Sequence, residues 1–274
     1  MVTALIATLI VFLLLAAAGF AAHRHLVQPR PRRAALAAGL LLALPCVAFA
    51  AYYLHWWDEP VILYRFRALP GSELAAGLSG WLAGWCAHLL LSDRRRAVRL
   101  ASMSLLIFPL LLVIPYLKPL LSPLDLEQLQ DRWRDGVCLQ SSSSTCGPSC
   151  AATILKELGH ATSERTMGEA ARTTASGTEC WYLVRALRQE GLSVSLLKTE
   201  PNPPRLPWPA IAGTRIGNQD GTGHYVTILG ENARGYLIGD PLHGLFTLTR
   251  AELGKKRWFT GFFIYIVHPD GSPL

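Results

Sequence analysis

The chain has 274 residues, enough for one or two domains, with 51% hydrophobic residues, 16% charged residues and a formal net charge of +7. A positive mean hydropathy of +0.27 is high for a protein dissolved in water, and the apolar excess lies within the first 124 residues. The basic excess is just as local, sitting in two short loops, and no basic patch is interleaved with aromatics, which argues against a nucleic-acid partner. In chain order, four apolar runs come first, at about Val2–Ala22, Ala34–Trp56, Leu74–Ser92 and Ser102–Leu117. Each approaches the ~20 residues needed to cross a bilayer. None contains Asp, Glu, Lys or Arg. Helices packed around a water-soluble core need a polar face, and these have none, so the sequence predicts four membrane helices. The first run also fits a signal peptide ending near Ala21-Ala22. Its start, Met-Val-Thr, lacks the positive charge such a segment carries, so an uncleaved helix is expected.

The loops set an orientation. His23–Arg33 holds four arginines and no acid, and Asp93–Arg99 holds four arginines and Asp93, so their +4 and +3 equal the whole net charge. Asp58–Glu73 holds Arg65 and Arg67 against three acids. Arginine-rich loops stay in the cytoplasm. With four spans, both the N-terminus and the C-terminal domain are then expected on the extracytoplasmic, periplasmic side of a plasma or inner membrane. The clustered arginines also suit anionic lipid head groups. Tyr52, Tyr53, Trp56 and Trp57 gather at one end of the second run, as an interfacial aromatic belt does. Gly77, Gly80 and Gly84 form a small-residue face for close helix contact, expected within one chain rather than between two. His88, Cys46 and Cys86 have no metal-ligand spacing and read as packing residues. Pro109 and Pro115 are expected to bend the fourth span.

After the membrane segment, Leu124–Trp133 reads as a short juxtamembrane helix. Helices are predicted at Cys146–Leu158, around Ser163–Arg172, and at Glu179–Gln189 with Thr178 as N-cap and Gly191 as stop. Strands are predicted at Ser193–Leu197, Ala210–Gly213, His224–Gly230, Gly235–Gly239, Leu245–Leu248 and Phe262–Val267. Five prolines in Pro201–Pro209 make a stiff crossing loop. Helices followed by an antiparallel sheet give an α+β domain. The boundary falls near residue 124, leaving 1–124 as an all-α four-helix transmembrane domain and 125–274 as the α+β domain.

Chemistry concentrates at three places. Cys146 opens a helix after the polar run Ser141–Thr145, with apolar residues following at Cys150, Ala151, Ile154, Leu155 and Leu158. The positive end of a helix dipole favours the thiolate, the nucleophilic form of cysteine. His224 starts one strand of a predicted hairpin turning at Glu231–Gly235, and Asp240 ends the other, which places them at one end of the sheet. A Cys, a His and an Asp supply a nucleophile, its base and the group that orients the base. Gln140 offers a side-chain N–H to an oxyanion, with the Cys146 backbone N–H as the second donor. Cys138, Cys150 and Cys180 share this domain. A Cys138–Cys180 disulfide is compatible with an oxidising compartment, but no pairing follows from the spacing. A zinc site built from these cysteines with His160, His224 and His243 lacks a second closely spaced pair, so no metal or cofactor is expected.

These blocks resemble the papain-like cysteine peptidase domain of bacteriocin-processing transporters, the double-glycine peptidases. The matching residues are Gln140 followed after five residues by Cys146-Gly147, the small-residue helix through Cys150-Ala151-Ala152, Gly177-Thr178 before the next helix, Gly223-His224-Tyr225, and Asp240-Pro241-Leu242-His243-Gly244. They run in order from about Cys138 to Val267. Thr145 stands where that family often has Asp. No G-x-x-x-x-G-K-[ST] motif occurs, so no ATP is expected. The resemblance implies the papain-like α+β fold and a Cys146–His224–Asp240 peptidase with Gln140 as oxyanion donor. It also implies cleavage after small residues of a double-glycine-type leader. The substrate would be a peptide or protein near the bilayer. A non-cleaving peptide-binding scaffold and a thiol acyltransferase are the alternatives, and a dimer or membrane partner is left open.

Overall fold

A computed structural model of the chain describes residues 2–53, 60–92, 95–215, 223–255 and 258–267. It divides into two compact units, Met1–Lys118 and Pro119–Leu274.

The first unit is all helical: α1 (Val2–His25), α2 (Pro29–Leu42), α3 (Leu44–Tyr53), α4 (Pro60–Arg67), α5 (Leu74–Leu78), α6 (Gly80–Ser92) and α7 (Arg96–Leu121), the last running into the second unit. Among the described residues, two stretches, Thr3–His25 and Leu74–Ser92, are long and apolar enough to cross a membrane. The expected second span is broken: Pro29–Leu42 and Leu44–Ala51 meet at 50° and make a third candidate if counted as one. Pro45 explains the break, because it brings no N–H and its ring clashes with the carbonyl four residues earlier. The fourth expected span falls in α7, where the side chains of 104–112 lie outside the described residues; α7 continues through Pro109 and Pro115. Residues 54–59, which carry Trp56 and Trp57 of the expected belt, also lie outside them.

The small-residue face is used inside the chain, as expected. A Cβ on Gly84 would stand 1.8 Å from the carbonyl oxygen of Ala16 in α1, and one on Gly80 would stand 2.2 Å from that of Phe12. Away from this seam α1 leaves Leu9, Ile10, Leu13 and Leu14 more than half exposed. His88 packs with His23 and Phe20, ring centroids 4.6 and 4.8 Å away. Arg67 is buried, its guanidinium 4.2 Å from the Phe49 ring centroid and 5.4 Å from that of Tyr116.

The second unit begins differently from expectation. Leu124–Trp133 holds only a 3-10 turn at Leu126–Gln128, capped by Asp125, before a hairpin of β1 (Arg132–Arg134) and β2 (Val137–Leu139). Asp131, Asp135 and Gly136 take positive φ values of 46°, 49° and 81°, which a helix does not accommodate. Three helices follow: α8 (Cys146–Glu157), α9 (Glu164–Ala170) and α10 (Cys180–Gln189). Ser163 caps α9 by accepting the Thr166 N–H. Glu179, not Thr178, occupies the N-cap position of α10. All six predicted strands form: β3 (Val194–Lys198), β4 (Ala210–Thr214), β5 (His224–Asn232), β6 (Gly235–Asp240), β7 (Gly244–Thr249) and β8 (Phe259–Ile266). They make one antiparallel sheet in the order β3-β8-β4-β5-β6-β7, and a short helix α11 (Arg250–Lys255) joins β7 towards β8.

Val226 and Ile228 of β5, Ile238 of β6 and Phe259 and Phe263 of β8 share one fully buried core cluster. α8 packs against β5 and β4 and is buried almost throughout, from Gly147 to Leu155. Gly147 lies tight against Leu183 of α10 and the preceding Thr178: an added Cβ would meet them at 3.0 and 3.3 Å. This contact ties the Cys146-Gly147 pair to the Gly177-Thr178 block.

Candidate active site

Strand pairing sets the first part of the site. Ile228 faces Ile238, and side chains alternate along a strand, so His224 and Asp240 extend the same face to the end of the sheet. There His224 Nε2 lies 2.9 Å from Asp240 Oδ1. Both residues are buried, at 7% and 4% exposure. The β5–β6 turn is closed by Asn232, whose Oδ1 accepts the N–H groups of Arg234 and Gly235 at 2.8 and 3.1 Å, and an irregularity between Ile228 and Gly230 then shifts the pairing to the register seen at the site.

α8 brings the second part. Cys146 is its first residue and is half-buried, whereas Cys150, one turn on, is fully buried. Cys146 lies near enough to the His224 imidazole for its sulfur to raise the ring's pKa. With Nε2 committed to Asp240, Nδ1 is the nitrogen left for the sulfur. The three predicted residues thus stand in series: thiol, imidazole, carboxylate. Burial alone would lower the His224 pKa, but the hydrogen bonds to Asp240 and Cys146 and their negative charges outweigh it and push it up to about 9. For Asp240, burial works upward and is outweighed by the hydrogen bonds from His224, His243 and the Leu242 N–H, so its carboxyl is held below the usual value. An imidazolium between a carboxylate and a sulfur is an arrangement that stabilises a thiolate.

The other cysteines are placed for packing. Burial, then the negative charges of Cys146, Asp240 and Cys138, raises the Cys150 thiol well above its ordinary value. Burial and the Glu164 charge push Cys138 up to about 12. Cys138, Cys150 and Cys180 are all unbridged.

Gln140 follows β2. Its backbone N–H donates to the Pro241 carbonyl at 3.0 Å, linking it directly to the Asp240 turn. Its carboxamide Nε2 donates to the Ser142 carbonyl at 2.7 Å. A carboxamide nitrogen carries two hydrogens, so one remains for a further acceptor. The Ser141–Ser144 run is an ordered loop. The Thr145 N–H and hydroxyl both donate to the Ser142 carbonyl, at 3.3 and 3.1 Å, and the Ser142 N–H donates to Thr145 Oγ1 at 3.1 Å. Because the Thr145 hydroxyl turns back to Ser142, it makes no side-chain cap on the first amides of α8.

Two contacts were not anticipated. His243 Nδ1 lies 2.8 Å from Asp240 Oδ2, so Asp240 holds an imidazole on each oxygen. The Asp-Pro-Leu-His-Gly turn contained this histidine, but only the turn geometry brings it back onto the carboxylate. Glu164, in the first turn of α9, contacts Ser141 instead of solvent.

Relatives at the sequence level cover the second unit. An uncharacterized protein of Methanothermobacter thermautotrophicus is 32% identical over 133 residues, which is 48% of this chain and 89% of the relative. An uncharacterized protein of Methanothermobacter marburgensis is 34% identical over 122 residues, 44% of this chain and 81% of the relative. Among solved structures, the peptidase domain of Streptococcus ComA, a bi-functional ABC transporter involved in a quorum sensing pathway, is 22% identical with a TM-score of 0.41. It aligns over 50% of this chain and 98% of its own. A double glycine motif protease from an AMS/PCAT transporter, in complex with its leader peptide, is 19% identical with a TM-score of 0.41, over 51% of this chain and 94% of its own. Residues 134–270 match the model of the peptidase C39 family. That stretch is half of the sequence and runs from the β1–β2 hairpin through the whole six-stranded sheet, so the chain belongs to the peptidase C39 family.

Proposed function

We propose that this is a membrane-anchored cysteine peptidase that cleaves a peptide or protein close to the bilayer, after small residues of a double-glycine-type leader. The observation that carries the reading is His224 held at 2.9 Å by Asp240 Oδ1 and standing beside Cys146, whose sulfur raises its pKa. In this mechanism the Cys146 thiolate attacks the scissile carbonyl carbon, forming the C–S bond as the carbonyl π electrons move to oxygen. The resulting oxyanion takes hydrogen bonds from the Gln140 carboxamide and the Cys146 backbone N–H. The His224 imidazolium gives its proton to the leaving nitrogen, the C–N bond breaks and a thioester remains. Neutral His224 then removes a proton from water, whose oxygen attacks the thioester; the carboxylic product leaves and the thiolate–imidazolium pair returns. Asp240 stays ionised throughout, orienting the ring and stabilising its charge.

Support for the anchor comes from the apolar helices Thr3–His25 and Leu74–Ser92, and for specificity from the motif blocks around Cys146, His224 and Asp240. Incubating the detergent-solubilised chain with peptides carrying an internal Gly-Gly tests the reading. Expected are a new carboxyl terminus after the glycines, and no product from Cys146→Ala. Cleavage that survives Cys146→Ala would sink it. Product found as an amide of an added amine, in place of the acid, would point to acyl transfer.

A further inference from the structure

The loop between β2 and α8 has an anchor outside itself. Glu164, the first residue of α9, is 0% exposed. Its Oε1 accepts the Ser141 backbone N–H at 2.7 Å, and its Oε2 accepts the Ser141 hydroxyl. The Ser141 oxygen in turn accepts the Gln130 N–H at 2.9 Å. Ser141 is therefore gripped at two points by one carboxylate, immediately after Gln140. From the other side the Gln140 N–H is tied to Pro241.

Directional bonds matter at Ser141 because it is only half-buried, unlike Ser144 and Thr145 further along the loop. A cavity of about 430 Å³ adjoins it, lined by Leu124, Asp125, Gln128 and Gln130 as well as Ser141 and Ser142 themselves. The buried neighbours of Glu164 on its own helix, Met167 and Gly168, are apolar or small, so packing within α9 does not require a carboxylate. Burying one is unfavourable unless its oxygens are satisfied, and Ser141 satisfies both. The negative charge of Glu164 also acts on Cys138 in this interior.

We infer that Glu164 is a positioning residue for oxyanion stabilisation: by fixing Ser141 it sets where the Gln140 carboxamide points. This rests on the role of Gln140 proposed above. Gln140 and Glu164 are separated by a helix and a loop in sequence, and the contact couples α9 to the mouth of the site. Without it, Ser141 is free to move towards the cavity, and the remaining Gln140 N–H loses its aim. Ground-state binding of substrate and the thiolate–imidazolium pair do not pass through this contact.

The test uses the full chain in detergent, a fluorogenic peptide amide ending in Gly-Gly, and iodoacetamide as the alkylating probe of Cys146. Glu164→Ala, Glu164→Gln, Gln140→Ala and the Glu164→Ala/Gln140→Ala pair are compared. Glu164→Ala should lower kcat by about tenfold or more, short of the roughly 10²–10³ lost with an oxyanion donor itself. KM and the alkylation rate should stay within about twofold, since neither involves the oxyanion. On the Gln140→Ala background, removing Glu164 should cost nothing further, because both changes remove one interaction. Glu164→Gln keeps the size and an acceptor for the Ser141 N–H, and should recover most of the rate. An unchanged kcat, a loss that multiplies with Gln140→Ala, or alkylation that falls in parallel would overturn the inference. So would a Glu164→Gln chain that fails to fold, which would make the residue a general support of the domain. A wild-type chain that alkylates at Cys146 but cleaves no peptide would defeat the peptidase reading, and this inference with it. An active wild type with an unaffected Glu164→Ala defeats the inference alone.

Discussion

Asp240 serves two histidines, and they differ in what they do to it. His224 is buried with it, whereas the His243 side chain is 75% exposed. Replacing Asp240 by Asn removes the largest single upward influence on His224 and leaves those of Cys146, so its pKa should drop below about 9. The acid that protonates the leaving nitrogen is then lost earlier, and the alkaline limb of the cleavage profile should move down from near pH 9. His243→Ala acts oppositely: it leaves more of the carboxylate's charge on His224, so activity persists and the limb moves slightly upward. Measuring kcat/KM against pH for both variants checks the two signs. Stability carries the same signature. A raised His224 pKa contributes stability fully present below 6.5 and lost as pH rises through about 9. The lowered Asp240 pKa contributes stability present above 3.8 and lost as pH falls through its depressed folded value. The Tm gap between wild type and Asp240→Asn should therefore be widest in between and shrink above pH 9; a gap that keeps growing above pH 9 would contradict the assignment. Cys150→Ala separates nucleophile from packing residue: about 1–2 kcal/mol of stability should be lost with most cleavage retained. Loss of cleavage in Cys150→Ala together with retention in Cys146→Ala would reverse the two roles.

Among the elements, α1 and α6 show how small residues set a helix interface. Gly80 and Gly84 sit against carbonyl oxygens of α1, and a methyl group there has only backbone to displace. Gly84→Ala should push the helices apart and cost on the order of 1–3 kcal/mol, the usual range for overpacking. Leu91→Ala, at a position 78% exposed, is the control and should change little. Thermal unfolding in detergent, read by helix signal, compares them; equal melting of both variants would remove the seam from the account. α8 follows the same rule in the second unit, where Gly147 admits Leu183 of α10. The loop ahead of α8 is different in kind. It gains its order from hydrogen bonds that converge on the Ser142 carbonyl and from Glu164, with small side chains that bring little packing of their own.

For the molecule as a whole, the arginine loops predict sidedness. If they remain cytoplasmic and the chain crosses four times, a reporter fused after Leu274 should be active outside the cytoplasm. Cytoplasmic activity of that reporter would reverse the placement and put the proposed substrate on the inner face. Arg67 adds a feature that charge counting does not reveal. It was tallied as a loop charge, yet it is buried against Phe49 and Tyr116.

Local chemistry determined much of this protein from sequence alone. Short apolar runs and turn residues marked all six strands of the sheet, helical periodicity marked α8, and cap and stop residues marked α10, because those patterns follow from backbone geometry. The order Cys146, His224, Asp240 was legible because two of the residues flank one hairpin and the third opens a helix. Tertiary structure decided what depends on distant partners. The Leu124–Trp133 segment has a helix-like pattern, yet positive φ at Asp131 and pairing of β1 with β2 make it a turn and a hairpin. Thr178 has cap chemistry but bonds Thr173 at 2.8 Å instead. The second imidazole on Asp240 and the carboxylate on Ser141 carried no readable signal. A side chain's partner is set by which elements meet, and neither a turn motif nor a first-turn acid specifies that.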